Sequence, residues 1–269
     1  MDPIKKFSIA LVKEIIAHDL WGYANALTYK LLLALFPFII FLMTLIGFFN
    51  IDASYFTIGL TEALPPEVSG IIDTFALEVV SGRNLSLLSV SLFVAVFSAS
   101  SGFRAIIKGI NKAYDANDTR GALFTGVISV GLVFLFAVSI IICLVVLIFG
   151  DYLMALADWH FGLSAAAFAV YEGFRYLGVM AALLAAVCAI YKISSCKRVK
   201  LLSVLPGAAV TVALWVLASK VFEIYIANFA RFSVVYGGLG SVFVMMIWLN
   251  IVSFLLLVGS EINALLRRH

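Results

Sequence analysis

The chain has 269 residues, of which 64% are hydrophobic and 12% are charged. Soluble domains are about half apolar and about a quarter charged, and even a large single core leaves about a quarter of the chain's surface in water. The composition therefore excludes a soluble enzyme, a disordered chain and a nucleic-acid-binding domain. The net charge is +3, and its meaning lies in where the charges fall.

A membrane-crossing helix needs about 20 mostly apolar residues. Residues 3–20 come first and read as an amphipathic helix. Phe7, Ala10, Leu11, Glu14 and Ile15 share one face, with Lys5, Lys6 and Lys13 elsewhere. Such a helix suits an anionic inner leaflet. Six apolar runs follow, at 26–49, 85–107, 122–149, 173–193, 201–227 and 239–266. The fourth has an alternative start at Ala165. The third and sixth are long enough to imply tilt or extension past the hydrocarbon. The runs are continuous and do not alternate with period two, which selects helices over a barrel. The connection 50–84 is the longest. It holds Pro65, Pro66 and Glu67, then Val68, Ile71, Ile72, Phe75 and Val79 at helical spacing. An outer amphipathic helix is expected there. The expected fold is all-α: a polytopic membrane protein, a bundle of six transmembrane helices forming a single membrane domain over 1–269. No sequence repeat is visible, so an inverted-repeat transporter has no support.

Lysine and arginine orient the chain. With the N-terminus inside, the inner segments hold Lys5, Lys6, Lys13, Arg104, Lys108, Lys112, Arg120, Lys192, Lys197, Arg198, Lys200, Arg267 and Arg268. The outer side holds Arg83, Arg175, Lys220 and Arg231, and Lys30 sits near the inner end of the first run. The bias alternates connection by connection, which fixes six spans with both termini inside.

Cys143, Cys188 and Cys196 show no disulfide framework or metal spacing. His18, His160 and His269 stand apart from carboxylates in metal-ligand patterns. Neither metal nor cofactor is expected. The first long apolar run starts late and no small-residue cleavage site follows it, so no cleavable signal peptide is expected.

Ionisable and polar groups inside spans are expensive, so each is a candidate for function or for a structural pair. Ser100, Ser101, Arg104, Lys108 and Asn111 fall on one broad face, since offsets of 4, 7 and 11 nearly superpose on a helix. They form either a path for an anionic headgroup or a snorkelling basic edge. Asn250 and Glu261 share a face of the last run, with Asn263 close by. Glu261 is expected to find a basic partner, Arg104 or Lys108 being at a compatible depth, or an inner aqueous cavity. The alternative role for such a pair is a structural clamp. The first run carries Asn25, Thr28, Tyr29 and Lys30 at its inner end, and Pro37 is placed to kink it. Gly237, Gly238 and Gly240 open the last run and allow close approach or a break. Glu172 with Arg175, and Lys220 with Glu223, read as local ion pairs. Ala181, Ala185 and Ala189 read as a packing face. No nucleophile–base pair, phosphate loop or nucleotide motif is present, so no enzyme is expected.

Several stretches resemble the YihY/BrkB family of membrane proteins. These are Ala26 to Pro37 (ALTYKLLLALFP), Phe103 to Tyr114 (FRAIIKGINKAY), Pro206-Gly207 with Trp215, Tyr236-Gly237-Gly238-Leu239-Gly240, Trp248-Leu249, and Gly259 to Ala264 (GSEINA). The likeness spans nearly the whole chain. Lys30, Gly238 and Ser260 depart from the family pattern, which expects an aromatic, a serine and an alanine there. The resemblance implies a six-helix bacterial inner-membrane protein. Members once carried a ribonuclease BN label regarded as mistaken, and the absence here of a His/Asp cluster at metal spacing and of a soluble basic face agrees with rejecting it. The BrkB name comes from a serum-resistance role in virulence, and some relatives are linked to lipid-like envelope molecules. The expected function is transport or export of an amphipathic or anionic, lipid-like substrate, with membrane lipids as partners and no nucleic acid. The alternative is a non-transporting scaffold for envelope biogenesis. A hydrated cavity bordered by Arg104 and Glu261 favours the first, and a solid apolar centre favours the second.

Overall fold

A computed structural model of the protein describes residues 3–48, 85–161, 165–229 and 238–268. These residues form helices and no strand. The helices are α1 (Pro3–Ala17), α2 (Leu20–Phe48), α3 (Leu85–Ala113), α4 (Ala122–Phe161), α5 (Ala165–Ser194), α6 (Leu201–Phe229) and α7 (Gly238–Arg268). Among the described residues, five helices, α3 to α7, are long and apolar enough to cross a bilayer. The 29-residue α2 carries the first expected span. Leu123, Leu202 and Phe93 are 89%, 79% and 72% exposed. They belong to an apolar surface of the kind that lipid covers. The chain is an all-α, multi-pass integral membrane protein. The helix expected within 50–84 lies outside the described residues, as does Gly237.

Three boundaries differ from expectation in informative ways. The N-terminal helix stops at Ala17, short of residue 20. Asp19 breaks it with a positive φ of 48°, and its Oδ1 accepts the Gly22 N–H at 3.2 Å, which caps α2. The second run continues to Ala113, because Lys108, Asn111 and Lys112 are polar without breaking a helix. The third reaches Phe161, 40 residues in all. That is about 60 Å at 1.5 Å per residue, about twice the hydrocarbon thickness, so α4 extends beyond the bilayer as its length implied.

The chain divides into two compact units. The first comprises Met1–His18, Ile107–Trp215 and Leu256–His269, and the second Asp19–Ile106 and Val216–Leu255.

In the first unit, α4 packs on α5, and α5, α6 and α7 meet at a polar-lined crossing. Pro206 stands inside α6, where it removes one ladder donor. Asn263 of α7 serves the backbone beside it. Its Oδ1 accepts the Gly207 N–H at 2.7 Å, and its Nδ2 donates to the Val204 carbonyl at 3.0 Å. Gly207 and Gly259 let the helices touch. A Cβ on Gly259 would collide with Thr211 Oγ1, the Tyr191 hydroxyl and the Gly207 carbonyl. The Tyr191 hydroxyl donates to the Leu256 carbonyl at 2.6 Å and lies 2.7 Å from Thr211 Oγ1. The Ala181/Ala185/Ala189 stripe is not the packing face that its spacing suggests. Ala181 and Ala185 are exposed, and burial falls on Ala186, Val187, Ile190 and Tyr191. In a segment apolar all round, small-residue spacing alone does not choose the face.

In the second unit, Gly102 of α3 faces Leu27 and Leu31 of α2 at ordinary van der Waals range. Trp21 packs edge-on against Phe254 at 4.7 Å, and Phe222 lies 5.1 Å from Trp248. The Lys220–Glu223 pair forms at 2.9 Å on the exposed face of α6.

Gly259→Ala is expected to destabilise the protein by about 3 kcal/mol, the upper range for overpacking, lowering Tm by on the order of 10 °C. Gly131→Ala, where a Cβ meets nothing within 4 Å, should leave Tm unchanged. Thermal unfolding in detergent, followed by size-exclusion fluorescence, checks the contrast.

Candidate functional site

The inner ends of the first unit converge on His18. Glu14 and His18 stand i,i+4 at the end of α1 and so share a face. Glu261 and Arg268 stand seven residues apart on α7 and share another. Asp115 arrives from the end of α3. There the Ala116 N–H bonds the Asn111 carbonyl at 2.9 Å and the Asp115 N–H bonds the Lys112 carbonyl at 3.0 Å. This is a Schellman cap, which usually places glycine where Asp115 adopts a φ of 46°. A left-handed conformation costs a non-glycine residue about 1 kcal/mol, and here it aims a carboxylate at the cluster.

His18 is buried. Its Nδ1 lies 3.0 Å from Glu261 Oε2, and its Nε2 lies 3.1 Å from Asp115 Oδ1 and 3.4 Å from Glu14 Oε2. Arg268 donates to Glu14 Oε1 at 2.8 Å and, through its other amino group, to Asp115 Oδ2. Glu261 is fully buried, and its Oε1 has no hydrogen-bond partner. Three carboxylates therefore face one imidazole and one guanidinium. Glu14, His18 and Glu261 offer ligand atoms all within 4.8 Å of one another, a spacing that could hold a metal ion. Sequence spacing left His18 isolated because its partners come from α3 and α7. The local signal was its place four residues after Glu14.

A second clasp lies beside the first. The Asn111 side chain donates to Asp118 Oδ2 at 3.2 Å and the Ser194 carbonyl at 3.2 Å, and accepts the Cys196 N–H at 2.8 Å. Arg120 Nε donates to Asp118 Oδ1 at 2.7 Å, and an Arg120 amino group donates to the Ser194 carbonyl at 2.8 Å. The hydrogen bond from Arg120 holds the Asp118 carboxyl below the usual carboxylate range, against a smaller opposing effect of burial. Lys197 donates to the Tyr114 carbonyl. Burial pushes the Tyr114 hydroxyl up to about 12. The N-terminal segment, the α3–α4 connection, the α5–α6 connection and the C-terminus thus meet on one side, as the basic-residue pattern requires.

The expected polar path is distributed between the units. Ser100, Ser101, Arg104 and Asn250 belong to the second, and Lys108, Asn111, Glu261 and Asn263 to the first. Arg104 is half-buried, donates to Ser100 Oγ at 2.8 Å and lies 5.8 Å from the Phe97 ring centroid. Asn250 Nδ2 donates to Asn25 Oδ1 at 2.7 Å and Thr28 Oγ1 at 3.2 Å. Lys108 and Tyr29 are exposed, and Ser101 and Lys30 are half-exposed. Asn111 and Asn263 have their amides engaged in the clasps above. The basic partner expected for Glu261 is Arg104 or Lys108; the group that lies 3.0 Å from its carboxylate is His18. The α2 helix runs through Pro37, and Gly238 and Gly240 lie in the first turn of α7. The second unit also bears an open depression of about 420 Å³ lined by Ser219, Phe222, Glu223, Ile226 and Trp248.

Residues 11–269 match the Virulence factor BrkB family. The chain is 30% identical over 252 residues to YfkH of Bacillus subtilis (strain 168), a protein named ribonuclease-like, covering 94% of this chain and 92% of that one. It is 26% identical over 251 residues to a UPF0761 membrane protein of Pseudoalteromonas atlantica, covering 89% and 79%. A UPF0761 membrane protein of Photobacterium profundum is 36% identical over 67 residues, 25% of this chain and 21% of that one. No solved structure matches significantly.

Because the Asp118 carboxyl is held below its usual range in the folded chain, its pair with Arg120 stabilises fully at neutral pH. That contribution fades as pH falls through the lowered value. Protection from hydrogen exchange across 114–121, measured against the intrinsic rate at each pH, should therefore fall in acid. Asp118→Asn should lower protection at neutral pH and remove this acid response.

Proposed function

We propose that this chain, which belongs to the Virulence factor BrkB family, transports an amphipathic, anionic substrate of the bacterial envelope across or out of the inner membrane. The observation that carries the reading is Arg104, a half-buried guanidinium within a span. A charge there is expensive in lipid and marks a polar pathway. Ser100 and Phe97 orient its fork, a shape suited to phosphate or carboxylate. In the same unit the Asn25–Thr28–Asn250 amide–hydroxyl set supplies further polar groups among apolar helices. The reading places the chain in the inner membrane, which the run of basic residues on one side and the bacterial relatives support. We assign no catalytic role. The name of the Bacillus relative stays with that protein.

The scaffold reading is favoured by a different observation. In the first unit Asn111, Tyr191, Thr211 and Asn263 are all engaged in helix-to-helix or loop contacts. Those contacts commit these four side chains to the protein itself.

Proteoliposomes carrying fluorescent anionic and zwitterionic lipids separate the two. Transport predicts protein-dependent movement of the anionic probe. Arg104→Ala should slow it about tenfold, equivalent to about 1.4 kcal/mol, with Tm retained. Arg104→Lys should keep part of the rate. If wild-type protein moves neither probe, or Arg104→Ala leaves anionic movement unchanged, the transport proposal fails.

A further inference from the structure

We propose that Glu14, His18 and Glu261 bind one divalent transition-metal ion at the inner ends of α1 and α7. The geometry of the cluster asks for a cation. A neutral imidazole donates one proton, yet His18 faces carboxylate oxygens from both ring nitrogens, at 3.0 Å on one side and at 3.1 and 3.4 Å on the other. Whichever tautomer forms, one nitrogen lone pair points at a carboxylate. That repulsion is relieved by a positive charge between them, a proton or a metal ion.

The second observation is independent. Glu261 is fully buried, and its Oε1 has no partner. A buried carboxylate oxygen left bare is costly. Oε2 is engaged by His18, so Oε1 is the atom available to a ligand. The ligand atoms of Glu14, His18 and Glu261 lie within 4.8 Å of one another. Metal bonds to imidazole nitrogen and carboxylate oxygen run at about 2.0–2.2 Å. Glu261 and Glu14 face opposite ring nitrogens, so a bound ion takes one nitrogen and requires the carboxylate on the far side of the ring to turn toward it.

The surroundings fit a bound ion. Arg268 grips the outer oxygens of Glu14 and Asp115, orienting both towards His18, as outer-shell partners orient metal ligands. Asp115 Oδ1 at the Nε2 side is positioned either as a fourth ligand or as the acceptor that fixes the ring's tautomer. One nitrogen with two or three carboxylates selects Zn²⁺, Mn²⁺, Fe²⁺ or Co²⁺ over Mg²⁺ and Ca²⁺, which prefer all-oxygen shells. The ion would tie the N-terminal helix to the C-terminal one on the inner face. This assignment is independent of whether the protein transports.

Full-length protein in detergent, stripped with EDTA and dialysed against Zn²⁺ in excess Mg²⁺, should retain one zinc per chain by elemental analysis. It should also unfold at a higher temperature than the stripped form. Glu261→Gln and His18→Gln should each weaken retention at least tenfold, on the order of the effect of disturbing such a site. If those variants do not fold, Mn²⁺ bound to wild-type protein provides the test, since pulsed EPR should show coupling to an imidazole nitrogen. No stoichiometric zinc, equal competition by Mg²⁺, unaltered retention in both folded variants, or Mn²⁺ without nitrogen coupling overturns the proposal. A proton alone would then balance the cluster.

Discussion

The bilayer interior has no water to satisfy a polar group, so each one inside a span must find its partner in the protein. This constraint organises the first unit. Pro206 disturbs the backbone ladder of α6, and Asn263 of α7 supplies an acceptor and a donor beside it. That amide reaches the backbone because Gly207 and Gly259 carry no side chain at the crossing. Tyr191 then closes the same crossing from α5, bonding Leu256 and Thr211. Two glycines, one proline and three polar side chains thus form one solution to one problem. Each is intelligible only with the others.

The same constraint explains the inner cluster. Glu261 sits two turns inside the helix from Arg268 and has no exposure to water. His18 reaches it because α1 ends one residue earlier and Asp19 turns the chain. Asp115 joins because the α3 cap adopts a left-handed conformation without glycine. Interactions built from buried charges give little net stability unless complete. Their effect here is positional: segments distant in sequence are held on one side of the membrane.

The architecture was legible in the sequence because lipid imposes two strong signals, apolar length and the distribution of lysine and arginine. Helix limits fall within a few residues of the apolar runs except where amphipathic or apolar residues carry a helix past its run, before Ala26 and Gly173 and after Ile107 and Phe149. Asn263 and Glu261 were visible as polar groups out of place, but their partners were not. His18 stands outside any metal pattern readable from local spacing because only Glu14 is near in sequence, and its other two carboxylate partners lie 97 and 243 residues away. The alanine stripe misled for the opposite reason. Its spacing was regular, but the helix buried the neighbouring face containing Tyr191.

The end of α1 and the end of α7 are held together by His18–Glu261 and Glu14–Arg268. Cysteines placed by Glu14→Cys and Arg268→Cys, in protein otherwise lacking cysteine, test it directly. In inside-out membrane vesicles a short bis-maleimide should join them within one chain in high yield, because the native side chains meet at 2.8 Å. If both cysteines react with a monofunctional, membrane-impermeant maleimide yet never cross-link within a chain, the two helix ends are not held together.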